Sequence, residues 1–293
     1  MKNLIVGGAS NYTWDQLKYW VNSIKMTGFE GDIVLVGTNY KKETIEKLSQ
    51  EGVKLSLYGN RTPNGDITSP TSSAPHVERF FHIWNFLHTT KEKYGYVVTT
   101  DTRDVIFQSD PTLWLDDYIL GSNLVASSEG MTYKNEPWGN QNLEQTFGPF
   151  FHGILKERTI YNVGTIGGDF EYVKDLMLMI FQLSINRPIP IVDQAVYNYI
   201  LSVSPYKDDT FYTNNSDKWA IQLGTTIEAV KAGKGDLGAM FMRNPSDYEA
   251  IYEDNQPVIE DGIVKNVLGE KYCIVHQYDR VPGLREQIER IYG

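Results

Sequence analysis

The N-terminal third of the chain alternates short apolar runs with amphipathic segments, and few folds accommodate that alternation. Residues 4–6, 33–36, 53–58 and 96–100 read as strands. The run Ile33-Val34-Leu35-Val36 has no polar alternation, which suits a sheet covered on both faces. Between the first two runs, Trp14, Leu17, Val21 and Ile24 recur at helical spacing. Thr13 and Gln16 are placed as a capping box and Gly28 as a stop. Residues 41–51 form a second helix, and Val77, Phe80, Phe81, Trp84 and Leu87 mark the apolar face of a third. Strand–helix–strand order predicts parallel strands joined by right-handed crossovers. Residues 59–75, rich in Pro, Ser, Thr, Asn and Gly, read as a mobile loop.

The second half is less regular. A strand is expected at 124–127, and helices through Val173–Phe181 and Ala195–Ile200. Short strands are expected near 210–213, 219–223, 238–242 and 272–276, and Leu284, Ile288 and Ile291 suggest a closing helix. The aromatic stretch 133–151 reads as a loop in which Trp138 could stack on a sugar. No internal repeat is visible.

Charge narrows the partners. Lys and Arg total 27 against 37 Asp and Glu, a net charge of -10, with no basic run, so neither nucleic acid nor an anionic membrane suits this surface. No apolar stretch reaches the roughly 18 residues needed to span a bilayer. The apolar run at residues 4–6 is too short for a signal peptide. The single cysteine, Cys273, cannot form an internal disulfide, which agrees with a reducing compartment, and a cytoplasmic location is expected.

In open α/β sheets, ligands sit beyond the carboxyl ends of the strands. Gly7-Gly8-Ala9-Ser10-Asn11-Tyr12 follows the first strand. It is not GxGxxG, and there is no Walker A motif, which lowers the case for NAD or P-loop chemistry. Tyr12 could stack on a nucleobase, and the glycines serve a tight turn equally well. Asp101-Thr102-Arg103-Asp104 follows the 96–100 strand. Two carboxylates there can bind a hard cation through oxygen, and Arg103 can add a bidentate phosphate contact. The same tetrapeptide also suits a solvated polar turn. His76, His82 and His88 lie on or beside the aromatic helix and fit packing or surface roles. His152, among Pro149, Phe150, Phe151 and Gly153, fits packing or a substrate contact.

Six segments stand in a telling order. They are Ala9-Ser10-Asn11-Tyr12; Arg79; the strand Tyr96–Phe107 with its Asp101–Asp104 tetrapeptide; Tyr161-Asn162-Val163-Gly164; Asp193-Gln194 at a helix start; and Ile274-Val275-His276-Gln277. Together they resemble GT-A-fold nucleotide-sugar glycosyltransferases, especially the retaining, glycogenin-like class. The resemblance spans residues 9–276. It implies a Rossmann-like α/β fold with a mostly parallel central sheet, flanking helices and a smaller irregular acceptor-side region. It implies one catalytic domain over 1–293, with a nucleotide-binding half, 1–128, and an acceptor-side half, 129–293, that completes the metal site. The implied activity is transfer of a hexosyl group from a nucleoside-diphosphate sugar, a UDP-sugar above all, to a carbohydrate, protein or small-molecule hydroxyl, with retention.

The site residues carry over in the same way. Gly8, Ala9, Asn11, Tyr12, Arg79, Asp101, Thr102, Arg103 and Gly164 would hold the donor. Arg79, Asn162, Asp193 and Gln194 would act at the reacting sugar, and Asp101, Asp104 and His276 would hold Mn²⁺ or Mg²⁺. Asn162 and Asp193 also suit plain capping roles. The chain departs from the family pattern at Arg103, where the motif calls for an acid, so Asp104 is taken as the second ligand. Pro282 lies where the family carries a late Lys, leaving Arg280 as the nearby cation. An inverting enzyme would need a base, and Glu129, Glu136 and Asp169 are available. The alternatives are a sugar nucleotidyltransferase, whose basic Gly-rich first loop is missing, and a non-catalytic nucleotide- or carbohydrate-binding protein.

Overall fold

The computed structural model describes residues 1–69, 74–233 and 245–293. Its strands, in chain order, are β1 (Lys2–Ser10), β2 (Asp32–Thr38), β3 (Lys54–Leu57), β4 (Asn60–Arg61), β5 (Ile67–Thr68), β6 (Tyr94–Thr100), β7 (Val105–Phe107), β8 (Leu124–Thr132), β9 (Thr159–Asp169), β10 (Thr210–Thr213), β11 (Ala220–Gln222), β12 (Val258–Glu260), β13 (Ile263–Lys265) and β14 (Ile274–His276). The helices that shape the core are α1 (Trp14–Met26), α2 (Lys42–Gln50), α3 (Pro75–Thr89), α4 (Pro111–Tyr118), α5 (Pro137–Leu155), α6 (Phe170–Ser184) and α7 (Asp193–Ile200), and a last helix, Leu284–Tyr292, closes the chain.

A seven-stranded sheet runs in the order β10-β8-β9-β6-β1-β2-β3. It is mostly parallel, as expected for an α/β chain, and β9 alone runs antiparallel to both its neighbours. Successive strand residues face opposite sides. Leu4, Val6, Val34, Val36 and Val97 therefore join one core with Phe80, Ile83, Leu176 and Ile180. Ile5, Leu35 and Val98 join the other with Leu17, Trp20, Trp114 and Trp219. Both faces are covered, which is why these strands read as apolar runs rather than alternating ones. A second sheet, β11-β14-β7, continues from the end of β6 and carries the late histidine.

The helix starts follow local chemistry. The Gln16 side chain accepts the Thr13 N–H at 3.0 Å, closing one half of the expected box. Asp110 caps α4, accepting the Thr112 N–H at 2.8 Å.

Several local expectations need correction. The segment after Tyr58 is not a featureless loop: β4 and β5 form a small hairpin that bridges back to Tyr40 through Ile67. The aromatic stretch 133–151 is mainly helix α5. Glu136 caps its start, Pro137 takes the first turn, and Gly148 at φ 78 kinks it before Pro149. Gly7 and Gly8 lie inside β1, opposite Leu35 and Val36 of β2, rather than in a turn. The glycine-rich β9 gave no strand signal, yet its glycines serve packing: a Cβ at Gly167 would stand 2.7 Å from the Trp219 ring. The strand expected at 238–242 lies outside the described residues.

Candidate active site

The carboxyl ends of β1 and β6, the middle of β9 and the start of α7 surround a cavity of about 540 Å³. Gly8 sets its floor. A Cβ there would lie 2.7 Å from Cβ of Arg79, so the glycine lets α3 approach closely enough to send Arg79 into the cavity. The Arg79 guanidinium pairs with Asp101 through Nη1 and with Asp193 through Nη2, the latter at 3.0 Å. It thus ties the end of β6 to the start of α7.

Asp101, Asp104 and His276 present one ligand atom each within 4.8 Å of one another. His276 Nε2 stands 3.5 Å from Asp101 Oδ2 and 3.8 Å from Asp104 Oδ1. Strand pairing makes this meeting possible: β14 runs antiparallel to β7 with His276 opposite Val105, and the Gln277 N–H donates to the Asp104 carbonyl at 2.7 Å. The imidazole is buried, and burial pushes its pKa down against the opposing pull of Asp104 and Glu129. Two carboxylates and a neutral imidazole therefore converge their lone pairs, the donor set a divalent cation satisfies.

The rest of the lining is acidic too. Among the described residues, six carboxylates line the cavity, on Glu78, Asp101, Asp104, Glu129, Glu136 and Asp193, against three arginines, Arg79, Arg103 and Arg280.

Neither a protein-family model nor a curated protein sequence matches the chain. Solved structures do. A galactosyltransferase, LgtC, in complex with donor and acceptor sugar analogs, superposes with a TM-score of 0.53 at 12% identity, over 98% of this chain and 94% of that one. The apo form of the glycosyltransferase GlyE from Streptococcus pneumoniae TIGR4 superposes with a TM-score of 0.50 at 13% identity, over 94% of this chain. The chain spans about half of GlyE, 54%. This chain has the GT-A fold. Identities this low carry the fold alone.

Within this GT-A fold, Gly8, Ala9, Tyr12, Arg79, Asp101, Thr102, Arg103, Asp104, Asn162, Gly164, Asp193, Gln194 and His276 all line the cavity. Asn11 does not: it is exposed and turns the chain at φ 63, a left-handed conformation that Asn tolerates. Arg103 leans on Asp104 at 3.2 Å and Asp279 at 3.4 Å. Asn162 holds two roles at once, for its Oδ1 accepts the Gly164 N–H at 2.8 Å while it lines the cavity. Asp193 opens α7, with Val192 at the N-cap. Trp138 and His76 also line the cavity.

His152 bonds Asn140 at 2.6 Å and does not line the cavity. His82, which also lines the cavity, stacks on Tyr58 with ring centroids 4.2 Å apart, and His88, outside the cavity, stacks on Trp84 at 5.0 Å. Asp169 caps α6 and does not line the cavity, which removes it as a base.

Glu129 is the residue whose place sequence reasoning missed. It lies in β8, where all nine residues are buried, and it accepts the Asn162 amide at 2.7 Å. Burial pushes its pKa up, opposed by Asn162, His276 and Gln194. The sequence marks it only as an available base, two residues past the strand expected at 124–127, which the structure extends to Thr132.

Proposed function

We propose that this protein transfers a hexosyl group from a nucleoside-diphosphate sugar, with UDP as the favoured nucleotide, to an acceptor hydroxyl, with retention. One observation carries the reading. The end of β6 in the main sheet and β14 in the second sheet bring Asp101, Asp104 and His276 within 4.8 Å of one another in a cavity lined by further acids. Those three residues would hold the cation, and the nitrogen ligand beside two carboxylates favours Mn²⁺ over Mg²⁺. The bound cation supplies Lewis-acid stabilisation of the leaving diphosphate.

The chain's own groups would do the rest. Arg79 shares the negative charge that develops on the phosphate, and its pairing with Asp193 sets that residue for a donor-sugar hydroxyl. Asn162 and Gln194 hold further hydroxyls, with Glu129 steering the Asn162 amide. Arg103 adds a phosphate contact from beside Asp104. Tyr12 and Ala9 hold the base, and Trp138 offers an acceptor sugar an aromatic face. A departing phosphate oxygen takes the acceptor proton, so no separate base is required.

The test is incubation with a panel of nucleoside-diphosphate sugars and Mn²⁺. Release of nucleoside diphosphate supports the proposal. Pyrophosphate-dependent chemistry would mean a nucleotidyltransferase, and binding without turnover a non-catalytic protein.

A further inference from the structure

We infer that Gln222 is a positioning residue that holds His276 in the tautomer whose bare Nε2 faces Asp101 and Asp104. The inference rests on the metal-binding part of the proposal above. Gln222 does not line the cavity and would act only through the imidazole.

The two residues are direct partners in the parallel β11–β14 ladder. Gln222 Oε1 lies 2.7 Å from His276 Nδ1. The other end of the amide determines which way it points. Gln222 Nε2 donates to Thr165 Oγ1 at 2.8 Å and to Ser127 Oγ at 3.1 Å. Ser127 has already committed its proton, donating to the Ala220 carbonyl at 3.0 Å, so towards Gln222 it can only accept. A flipped amide would set a carbonyl oxygen against that hydroxyl oxygen. Gln222 is 1% exposed and His276 3%, so water does not compete for either.

An amide oxygen towards the ring requires a proton on Nδ1. Nε2 is then unprotonated, 3.5 Å from Asp101 Oδ2 and 3.8 Å from Asp104 Oδ1. The opposite tautomer would give Nε2–H a carboxylate to bond, closing the ring to a cation, but would oppose two lone pairs across the 2.7 Å contact. A hydrogen bond behind the ligand that selects its tautomer also raises its basicity towards metal.

The experiment compares wild type with Gln222→Met, which keeps the bulk and loses the acceptor, and with Gln222→Glu, which keeps the acceptor. Imidazole ¹⁵N NMR of the metal-free protein should find the His276 proton on Nδ1 in wild type and Gln222→Glu, and on Nε2 in Gln222→Met. Mn²⁺ titration by EPR, without any sugar nucleotide, should find affinity about 10- to 100-fold weaker in Gln222→Met and restored to within a few-fold in Gln222→Glu. Thr165→Val, which removes one anchor of the amide, serves if the Met variant does not fold and should weaken Mn²⁺ in the same direction. Wild type carrying its proton on Nε2, or Gln222→Met binding Mn²⁺ as wild type does, overturns the assignment to Gln222. Wild type that binds no Mn²⁺, with its proton on Nδ1, instead overturns the metal reading beneath it.

Discussion

His276 Nε2 and Asp104 Oδ1 stand 3.8 Å apart because β14 pairs with β7, the strand that begins one residue after Asp104. The ladder therefore brings the Asp104 carboxylate, rather than the Arg103 side chain, beside Asp101 and His276. Asp104→Asn should weaken Mn²⁺ dependence about as much as Asp101→Asn, by roughly 10-fold or more. Arg103→Ala should leave metal binding in place and lower donor affinity or turnover. The check is Mn²⁺-dependent nucleoside diphosphate release, and wild-type activity in Asp104→Ala would show the wrong ligand was chosen.

The acid-rich cavity implies strong linkage between its two ligands. Nucleoside diphosphate with Mn²⁺ should raise Tm well above the sum of the separate shifts, because each ligand offsets charge that repels the other. A ligand at about 100 times its Kd stabilises by roughly 2.7 kcal/mol. Equal shifts by nucleotide with and without metal, in a thermal melt, would count against the site.

Gly164 leaves no room for a side chain. A Cβ there would stand 2.7 Å from His276 Cε1 and 3.0 Å from Asp101 Oδ2. Gly164→Ala should cost roughly 1–3 kcal/mol of stability through overpacking and abolish most Mn²⁺ affinity. Denaturant unfolding alongside Mn²⁺ titration separates the two effects, and an unchanged Mn²⁺ affinity would be inconsistent with this geometry.

His82 gives the fold an acid-side weakness. Burial pushes its pKa down to about 4 from the ordinary 6.5, while Glu78 Oε1 sits 3.7 Å from its Nε2. Between those values the unfolded chain binds a proton more readily than the folded one, so stability present above the unfolded pKa is lost as pH falls from 6.5 towards about 4. His82→Phe, which keeps a ring against Tyr58, should lose less stability than wild type between about pH 7.5 and about pH 5. Urea unfolding at both pH values decides it, and parallel losses would remove His82 as the cause.

Retention is the boldest expectation. An α-linked donor should yield an α-linked product, read from the anomeric proton by NMR. A β product would point instead to a base, and with Asp169 outside the cavity only Glu129 and Glu136 of the three named acids line it. Both already accept a hydrogen bond, Glu136 from the Trp138 N–H at 3.1 Å and Glu129 from the Asn162 amide at 2.7 Å, so each would be replaced in turn.

The sequence by itself determined what is written locally. The runs at 4–6, 33–36 and 96–100 became β1, β2 and β6 because each buries residues on both faces, and burial on both faces demands uninterrupted apolar character. Asp101 and Asp104 were legible because they directly follow such a strand. The tertiary structure decided what depends on pairing between distant segments. Nothing local marks β9 as the antiparallel insert between β6 and β8, since its glycines lower strand propensity and find their purpose only against distant residues, Gly164 against His276 and Gly167 against Trp219. Glu129, Gln222 and the Arg79–Asp193 pair were likewise illegible in their roles. A buried polar group is defined by the partner that satisfies it, and that partner lies across β8 and β9 for Glu129, across β11 and β14 for Gln222, and between α3 and α7 for Arg79.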